Sequence, residues 1–340
     1  IDPVSTSPNT LLAGPVLNQQ YGLSVCTAGD LNGDGRSDVV IGAPYTLVGG
    51  GGNTGRVYVH YGTNSGITTV PSLVLNGPQA GGLYGSAVST AGDVNGDGFS
   101  DLLIGARSYE SNVVTENNEG IVFIHYGSST GINTVPDQQL ETDHAEDAIG
   151  SFLACAGDIN NDGFSDVLVS GYLASYPSFN EGAVFVYMGS ASGLNTVPLH
   201  RLERNQGGAF FGKSVAGAGD VNGDGYSDVI IGASKFVYTG GFSDQGTAFI
   251  WFGSAAGLGP GINPAFDQQL YGSGSSVGYF GWSVTCAGDI NGDGYSDVAV
   301  SGYLEENGQA DEGMVRVFLG SPTGVNTVPA TILESNQAGA

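Results

Sequence analysis

The 340-residue sequence is short of positive charge: eight Lys and Arg stand against 33 Asp and Glu, for a formal net charge of −25 at pH 7. So few cations leave no footprint for nucleic acid or for an anionic membrane surface, and neither is expected as a partner. Sulfur is scarce too. The three cysteines, Cys26, Cys155 and Cys286, are an odd number without a Cys-x-x-Cys pair, which argues against a disulfide framework or a zinc site. Each lies on an expected strand just before a polar turn, Cys26 four residues ahead of its first Asp and the others three, so they do not share a facing. They read as small buried apolar side chains. No apolar run is long enough to span a membrane and no secretory leader is visible, so direct membrane insertion is not expected. The first residue is not Met, which suggests a processed or trimmed chain. Stretches with a helical apolar period are also missing, and with them the expectation of more than minimal helix. HExxH, GxSxG and phosphate-loop motifs do not occur.

What is abundant is glycine, 59 residues, with Val, Ile, Tyr and Phe in short runs, the mark of many strands joined by turns. One nine-residue stretch recurs five times: Asp30 to Asp38, Asp93 to Asp101, Asp158 to Asp166, Asp220 to Asp228 and Asp289 to Asp297. Oxygen side chains stand at positions 1, 3, 5 and 9 of each copy, and glycine at 6. A polar turn could explain one such stretch but not five with the same oxygens in place. A hard divalent cation wants six to eight oxygens, which alternate residues of a tight turn can aim at one point, and the pattern reads as a Ca²⁺ loop, about five ions per chain. The expected side-chain ligands are Asp30, Asn32, Asp34 and Asp38; Asp93, Asn95, Asp97 and Asp101; Asp158, Asn160, Asp162 and Asp166; Asp220, Asn222, Asp224 and Asp228; and Asp289, Asn291, Asp293 and Asp297. Position 7, which is Arg36, Phe99, Phe164, Tyr226 or Tyr295, varies as a backbone-carbonyl ligand would. Fifteen of the 33 acidic residues are loop aspartates, so much of the acidity belongs to metal chemistry. An EF-hand is excluded, because position 12 is Ile41, Ile104, Val169, Ile231 or Val300 in a strand-like run instead of a Glu.

The loops recur at spacings of 63, 65, 62 and 69 residues, each a whole supersecondary unit. The second unit shows four strand signals: 84–91 leads into the loop, 101–106 leaves it, 120–127 follows a variable stretch, and 138–141 closes the unit after a GINTVP turn. That is a four-stranded antiparallel sheet with two apolar faces, and radial stacking of such sheets buries both. The fold class is therefore all-β, a β-propeller of five four-stranded blades in a single domain over 1–340, with repeats at about 12–75, 76–140, 141–202, 203–270 and 271–334.

The run Phe211, Gly212, Lys213, Ser214, Val215, then Gly219 to Gly225, then Asp228 to Ala233, resembles an FG-GAP repeat, the blade unit of the integrin α-subunit headpiece and of many bacterial surface proteins. The "FG" is Tyr21-Gly22, Tyr84-Gly85, Phe211-Gly212 and Phe280-Gly281, with Ile149-Gly150 in the third unit; "GAP" is complete only at Gly42 to Pro44. The resemblance implies a propeller, usually of seven blades, against the five loops counted here. An outer-strand motif occurs six times, near Thr10, Leu73, Leu140, Leu202, Leu270 and Thr331, one more than five blades need. The expectation is a five-bladed ring closed by pairing its two ends; the alternative is part of a larger, for example seven-bladed, propeller or array.

Antiparallel alternation places the 1-to-2 and 3-to-4 connections on one face and the 2-to-3 and 4-to-1 connections on the other. The calcium face is uniform, while the 2-to-3 loops, 44–55, 107–119, 172–181, 234–245 and 303–312, are diverse. They carry Tyr45, Tyr109, Tyr172, Tyr176, Phe179, Phe236, Tyr238, Phe242 and Tyr303, residues able to stack on sugars or anchor a protein. His60 and His125 occupy matching places on third strands, with Tyr187 and Trp251 there in other units, and read as structural. Glu305 and Glu306 are an acid pair of the kind a glycosidase uses, but nothing sets two carboxylates across a pocket. The chain thus reads as a non-enzymatic, calcium-stabilised, extracellular or cell-surface binding or adhesion module with a protein or glycan ligand on the face opposite the loops. A propeller lectin and a structural unit of a surface assembly are the alternatives, with self-association through an unpaired terminal strand.

Overall fold

A computed structural model describes the chain except residues 1–9, 15–18, 50–51, 111–117, 143, 145, 239–242, 273–276, 309 and 335–340. Every regular element among the described residues is a strand. Five antiparallel sheets follow one another, each ordered first, second, third and outer strand, and they are the blades of a β-propeller. Blade 1 is Ser24–Gly29, Asp38–Ala43, Arg56–His60 and Leu73–Asn76; blade 2 is Tyr84–Gly92, Asp101–Ala106, Ile121–His125 and Gln138–Leu140. Blade 3 is Phe152–Gly157, Asp166–Gly171, Ala183–Tyr187 and His200–Leu202; blade 4 is Phe211–Gly219, Asp228–Ala233, Thr247–Trp251 and Gln268–Tyr271. Blade 5 is Ser283–Gly288, Asp297–Gly302, Met314–Phe318 and Thr331–Glu334.

The second and third strands are apolar on both faces because each blade is covered by a neighbour on either side. All six residues of Asp101–Ala106, Asp166–Gly171 and Asp228–Ala233 are buried. Each first strand ends in a bulge at a left-handed glycine, as at Gly92 (φ 75°), which turns the chain into the acidic loop.

The core lies between blades. One apolar cluster joins Val40, Val57 and Leu75 to Tyr84, Val88 and Ile104; three more fill the remaining junctions between consecutive blades. The junctions share a set of backbone bonds. The N–H of the serine at loop position 8 donates to the carbonyl of position 1 in the preceding loop: Ser100 to Asp30 (3.0 Å), Ser165 to Asp93 (2.9 Å), Ser227 to Asp158 (3.0 Å) and Ser296 to Asp220 (2.8 Å). The FG position also reaches back, with Tyr84 N–H donating to Thr54 O (3.1 Å) and Phe211 N–H to Glu181 O (2.8 Å).

The expected closed ring is not formed by the described residues. Among the described residues the first strands of blades 1 and 5 do not pack together, and no backbone bond links those blades. The five blades make an open arc. At loop position 2, Leu31, Val94, Ile159 and Val221 are sealed under the following blade at 0% exposure, whereas Ile290 of blade 5 is 57% exposed. The extra outer-strand motif at Thr10 to Gly14 joins no sheet, since every blade already has its own outer strand downstream of its third.

Candidate functional site

The acidic loops fold alike. In blade 2 Asp93 Oδ1 accepts from Gly96 N–H (2.7 Å) and Asp97 N–H (3.1 Å), and Oδ2 from Gly98 N–H (2.8 Å). Asn95 Oδ1 accepts from Asp97 N–H (2.9 Å), and Asp97 Oδ1 from Phe99 N–H (3.0 Å). The side chains at positions 1, 3 and 5 are thereby turned over the loop's own backbone. Blades 1, 3, 4 and 5 repeat the pattern through Asp30, Asn32 and Asp34, Asp158, Asn160 and Asp162, Asp220, Asn222 and Asp224, and Asp289, Asn291 and Asp293. Among the described residues no three carboxylate, imidazole or thiol groups converge as a metal cage. The donor chemistry still fits a hard divalent cation: three carboxylates and an amide oxygen in nine residues, with Arg36 on Asp34 (3.5 Å) the one ion pair made to any loop among the described residues.

Position 9 is a different environment. Asp38, Asp101, Asp166, Asp228 and Asp297 are completely buried. Each clamps the loop to the third strand: Asp228 accepts from Val221 N–H (2.8 Å) and Gly253 N–H (2.8 Å), and Asp101 from Val94 N–H (2.9 Å) and Gly127 N–H (2.9 Å). Burial, opposed by those N–H donors and reinforced by the carboxylates at positions 5 and 1, pushes Asp101, Asp166 and Asp228 up to about 7. A folded value above the ordinary 3.8 means that the native state binds protons more tightly than the unfolded chain. Calcium-free protein should therefore lose stability as pH rises from about 4 to about 7. Melting curves in chelator across that range check this, and a melting temperature that climbs with pH would contradict it.

Position 7 does more than the sequence indicated. The Phe99, Phe164 and Tyr295 rings lie over Gly33, Gly96 and Gly223 of the preceding loop, where a Cβ would collide with them. These side chains tie each loop to its neighbour.

The opposite face carries a band of rings and cations at the start of the first strands and of the 2-to-3 loops in blades 3 to 5. Lys213 Nζ sits over Phe152 (4.9 Å), Tyr172 (5.1 Å) and Trp282 (4.5 Å), and Lys235 Nζ over Phe210 (4.7 Å) and Tyr279 (5.9 Å). Tyr303 stacks on Tyr279 at 5.0 Å and meets Trp282 at 4.6 Å. Burial and then the nearby Arg107 lower the Lys213 amine from its ordinary value. Among the described residues no carboxylate pairs with Lys213, Lys235 or Arg107, while Arg201 and Arg316 are paired with Glu203 and Glu305. Sequence reasoning found Tyr172 and Tyr303 but missed Phe152, Phe210, Lys213, Tyr279 and Trp282, whose signal was their place close to the FG position, and Lys235, which lies in the variable 234–245 loop.

Other loop aromatics turn inward. Tyr109, Tyr176 and Phe236 pack edge-on against Phe123, Phe185 and Phe249 and act as lids on the core; Phe242 lies outside the described residues. His60 and His125 are structural, bonding the Thr68 carbonyl (2.8 Å) and the Asn133 carbonyl (2.9 Å) of their 3-to-4 turns. Glu305 and Glu306 are no acid pair, because Glu305 is buried against Arg316 (3.0 Å) and Glu306 is exposed. The cysteines are free and partly buried, and burial pushes the Cys26 thiol up to about 12.

The profile of the FG-GAP repeat matches residues 21–60, 84–125, 211–251 and 280–318. The chain is an FG-GAP repeat protein. Blade 3, with Ile149 at the FG position and Asn161 in place of the loop's first glycine, lies outside the four matches. Integrin alpha-4 of Xenopus laevis is 35% identical over 200 residues, covering 58% of this chain and 18% of that protein. Integrin alpha-V of Gallus gallus is 31% identical over 254 residues, 68% of this chain and 21% of that protein. Integrin alpha-PS5 of Drosophila melanogaster is 34% identical over 163 residues, 46% and 15% of the two. The FG-GAP chain thus spans about a fifth of these integrin α relatives. No helix among the described residues is long and apolar enough to cross a membrane.

Proposed function

We propose that this FG-GAP protein is a calcium-stabilised binding module of the cell surface or extracellular space, and that it takes a protein ligand on the face opposite its acidic loops. The observation that carries this reading is the segregation of chemistry between faces. In a chain of formal charge −25, three cations with no carboxylate partner among the described residues, Lys213, Lys235 and Arg107, gather on one face with Trp282, Tyr279 and Tyr303. Cations held over rings keep their charge at reduced conformational cost, and they suit an acidic ligand segment that also offers apolar contact. Calcium at the other face, held by side chains at positions 1, 3, 5 and 9 and the carbonyl at 7, stabilises the blades and takes no part in a reaction.

The test is a screen of immobilised secreted and cell-surface proteins, with a glycan array in parallel, using wild type and a Lys213→Glu, Lys235→Glu double variant. Reversing both charges should weaken binding by about 10- to 100-fold with little change in melting temperature. Unaltered affinity, or an equal loss on changing the uniform 3-to-4 turns, would place recognition elsewhere. Hits confined to the glycan array would replace the protein-ligand reading with a lectin.

A further inference from the structure

Each junction between consecutive blades has a slot beside the outer strands, walled by the FG residue, by two alternate residues of the third strand, and by the chain around the outer strands. Between blades 3 and 4 the protein fills it with a cation of its own. Arg204, two residues beyond the outer-strand Leu202, holds its guanidinium over Trp251 (4.9 Å), Phe266 (5.3 Å), Phe249 (5.5 Å) and Phe211 (5.7 Å). Between blades 1 and 2 the FG residue does the filling: the Tyr84 ring lies on Phe123 (5.4 Å) and its hydroxyl meets His125 Nε2 (3.2 Å). Between blades 4 and 5, Arg316 takes the place of the third-strand ring and pairs with Glu305 (3.0 Å).

The junction of blades 2 and 3 has the same frame with smaller parts. Phe185 and Tyr187 stand where blade 4 has Phe249 and Trp251, but Ile149 replaces Phe211, Pro198 replaces Phe266, and Thr142 replaces Arg204. What results is a cavity of about 340 Å³ lined by Thr142, Tyr176, Phe185, Tyr187, Pro198 and Arg201. Tyr187 is completely buried, and among the described residues its hydroxyl has no hydrogen-bond partner. In the same place His60, His125 and Trp251 each bond a carbonyl of their own 3-to-4 connection. A buried hydroxyl is costly to leave unpaired, and a ligand that pairs it recovers that cost.

We propose that this cavity binds a planar organic cation of the guanidinium class, in the position that Arg204 fills one junction further on. Rings attract a cation held over them, and a guanidinium also brings N–H donors for the Tyr187 oxygen. Burial, and then the Asp147 charge, raise the Tyr187 hydroxyl above its ordinary value, so it stays protonated and accepts through its lone pairs. Arg201 does not answer the cage itself: it lies over Tyr176 (4.3 Å), partly exposed, and is paired with Glu203 (3.2 Å). The charge beneath is negative. Asp147 is completely buried, accepts from Tyr176 Oη (2.6 Å) and Thr142 Oγ1 (3.0 Å), and meets His144 Nδ1 (2.9 Å).

The experiment is calorimetric titration of the calcium-loaded protein with methylguanidinium and with methylurea, its uncharged counterpart of the same shape, at about 0.15 M salt to screen the general acidity. Methylguanidinium should bind one site with a Kd of about 0.1 to 1 mM, reasonable for so small a ligand, and methylurea at least about 10-fold more weakly. Thr142→Arg supplies the missing guanidinium from the chain and should abolish binding without lowering the melting temperature. Tyr187→Phe removes a hydroxyl that has no partner to lose; it should melt no lower than wild type and bind about 3- to 10-fold more weakly. Nα-acetylarginine amide binding more tightly than methylguanidinium assigns the group to an arginine side chain, and weaker binding to a free guanidino compound; either supports a cation site. No binding of methylguanidinium, equal binding of methylurea, or affinity unchanged in both variants overturns the proposal.

Discussion

Removing calcium is expected to lower the melting temperature of this protein by about 10 to 20 °C. Each loop brings three carboxylates into nine residues, and the one at position 9 is completely buried, held by N–H donors and close enough to the other two to feel their charge. Empty, the loop holds two carboxylates nearer solvent beside a buried one; a bound dication replaces their repulsion with attraction. For a Kd of roughly 10 to 100 μM and free calcium of about 1 mM, linkage gives about 1.4 to 2.7 kcal/mol per site when the unfolded chain does not bind. With one ion in each of the five loops, as proposed, the sum would be on the order of 7 to 14 kcal/mol, as large as the whole net stability of an ordinary domain. At about 2.1 cal/mol/K of unfolding entropy per residue, a 340-residue chain converts each kcal/mol to about 1.4 °C. Asp224→Ala should remove one site and shift the melting temperature by about 2 to 4 °C. A calcium titration of both proteins checks this. A melting temperature indifferent to millimolar calcium would mean that the loops are ordinary turns.

The blades were legible because their cause is local. A sheet with apolar residues on both faces, as in Asp101–Ala106, announces that it must be sandwiched, and five acidic loops in register count the repeats. The candidate binding face was legible only in outline. The diversity of the 2-to-3 loops marks the face, but Lys213 and Trp282 lie about 70 residues apart and become neighbours only through the stacking of blades 4 and 5. Ring closure was not legible at all. Asp289 to Asp297 reads the same as the four loops before it, because the residues of a receiving edge are alike whether or not a neighbour sits on them. What distinguishes Ile290 from Val221 is a neighbour's presence, which no pattern within one blade records.

That difference yields a contrast between two substitutions of the same kind. Val221 and Ile290 both hold loop position 2, and both donate their N–H to the buried aspartate at position 9, at 2.8 and 2.9 Å. The Val221 side chain is enclosed between blades 4 and 5 in the cluster with Val298 and Phe318, and the Val221 carbonyl accepts from Ser321 N–H (3.1 Å). An Asp at Val221 puts a charge into a seam of apolar side chains, a cost of about 3 to 5 kcal/mol. Spread over the arc, that is a fall of about 4 to 7 °C; where repeats unfold semi-independently it appears instead as early melting of blades 4 and 5. Ile290→Asp, on a side chain that is 57% exposed, should change stability by no more than about 0.5 kcal/mol, as surface substitutions do. Melting curves of both variants at sub-micromolar protein decide the matter. Equal destabilisation by the two would mean that a blade of the same molecule covers Ile290, and that the ring is closed in solution.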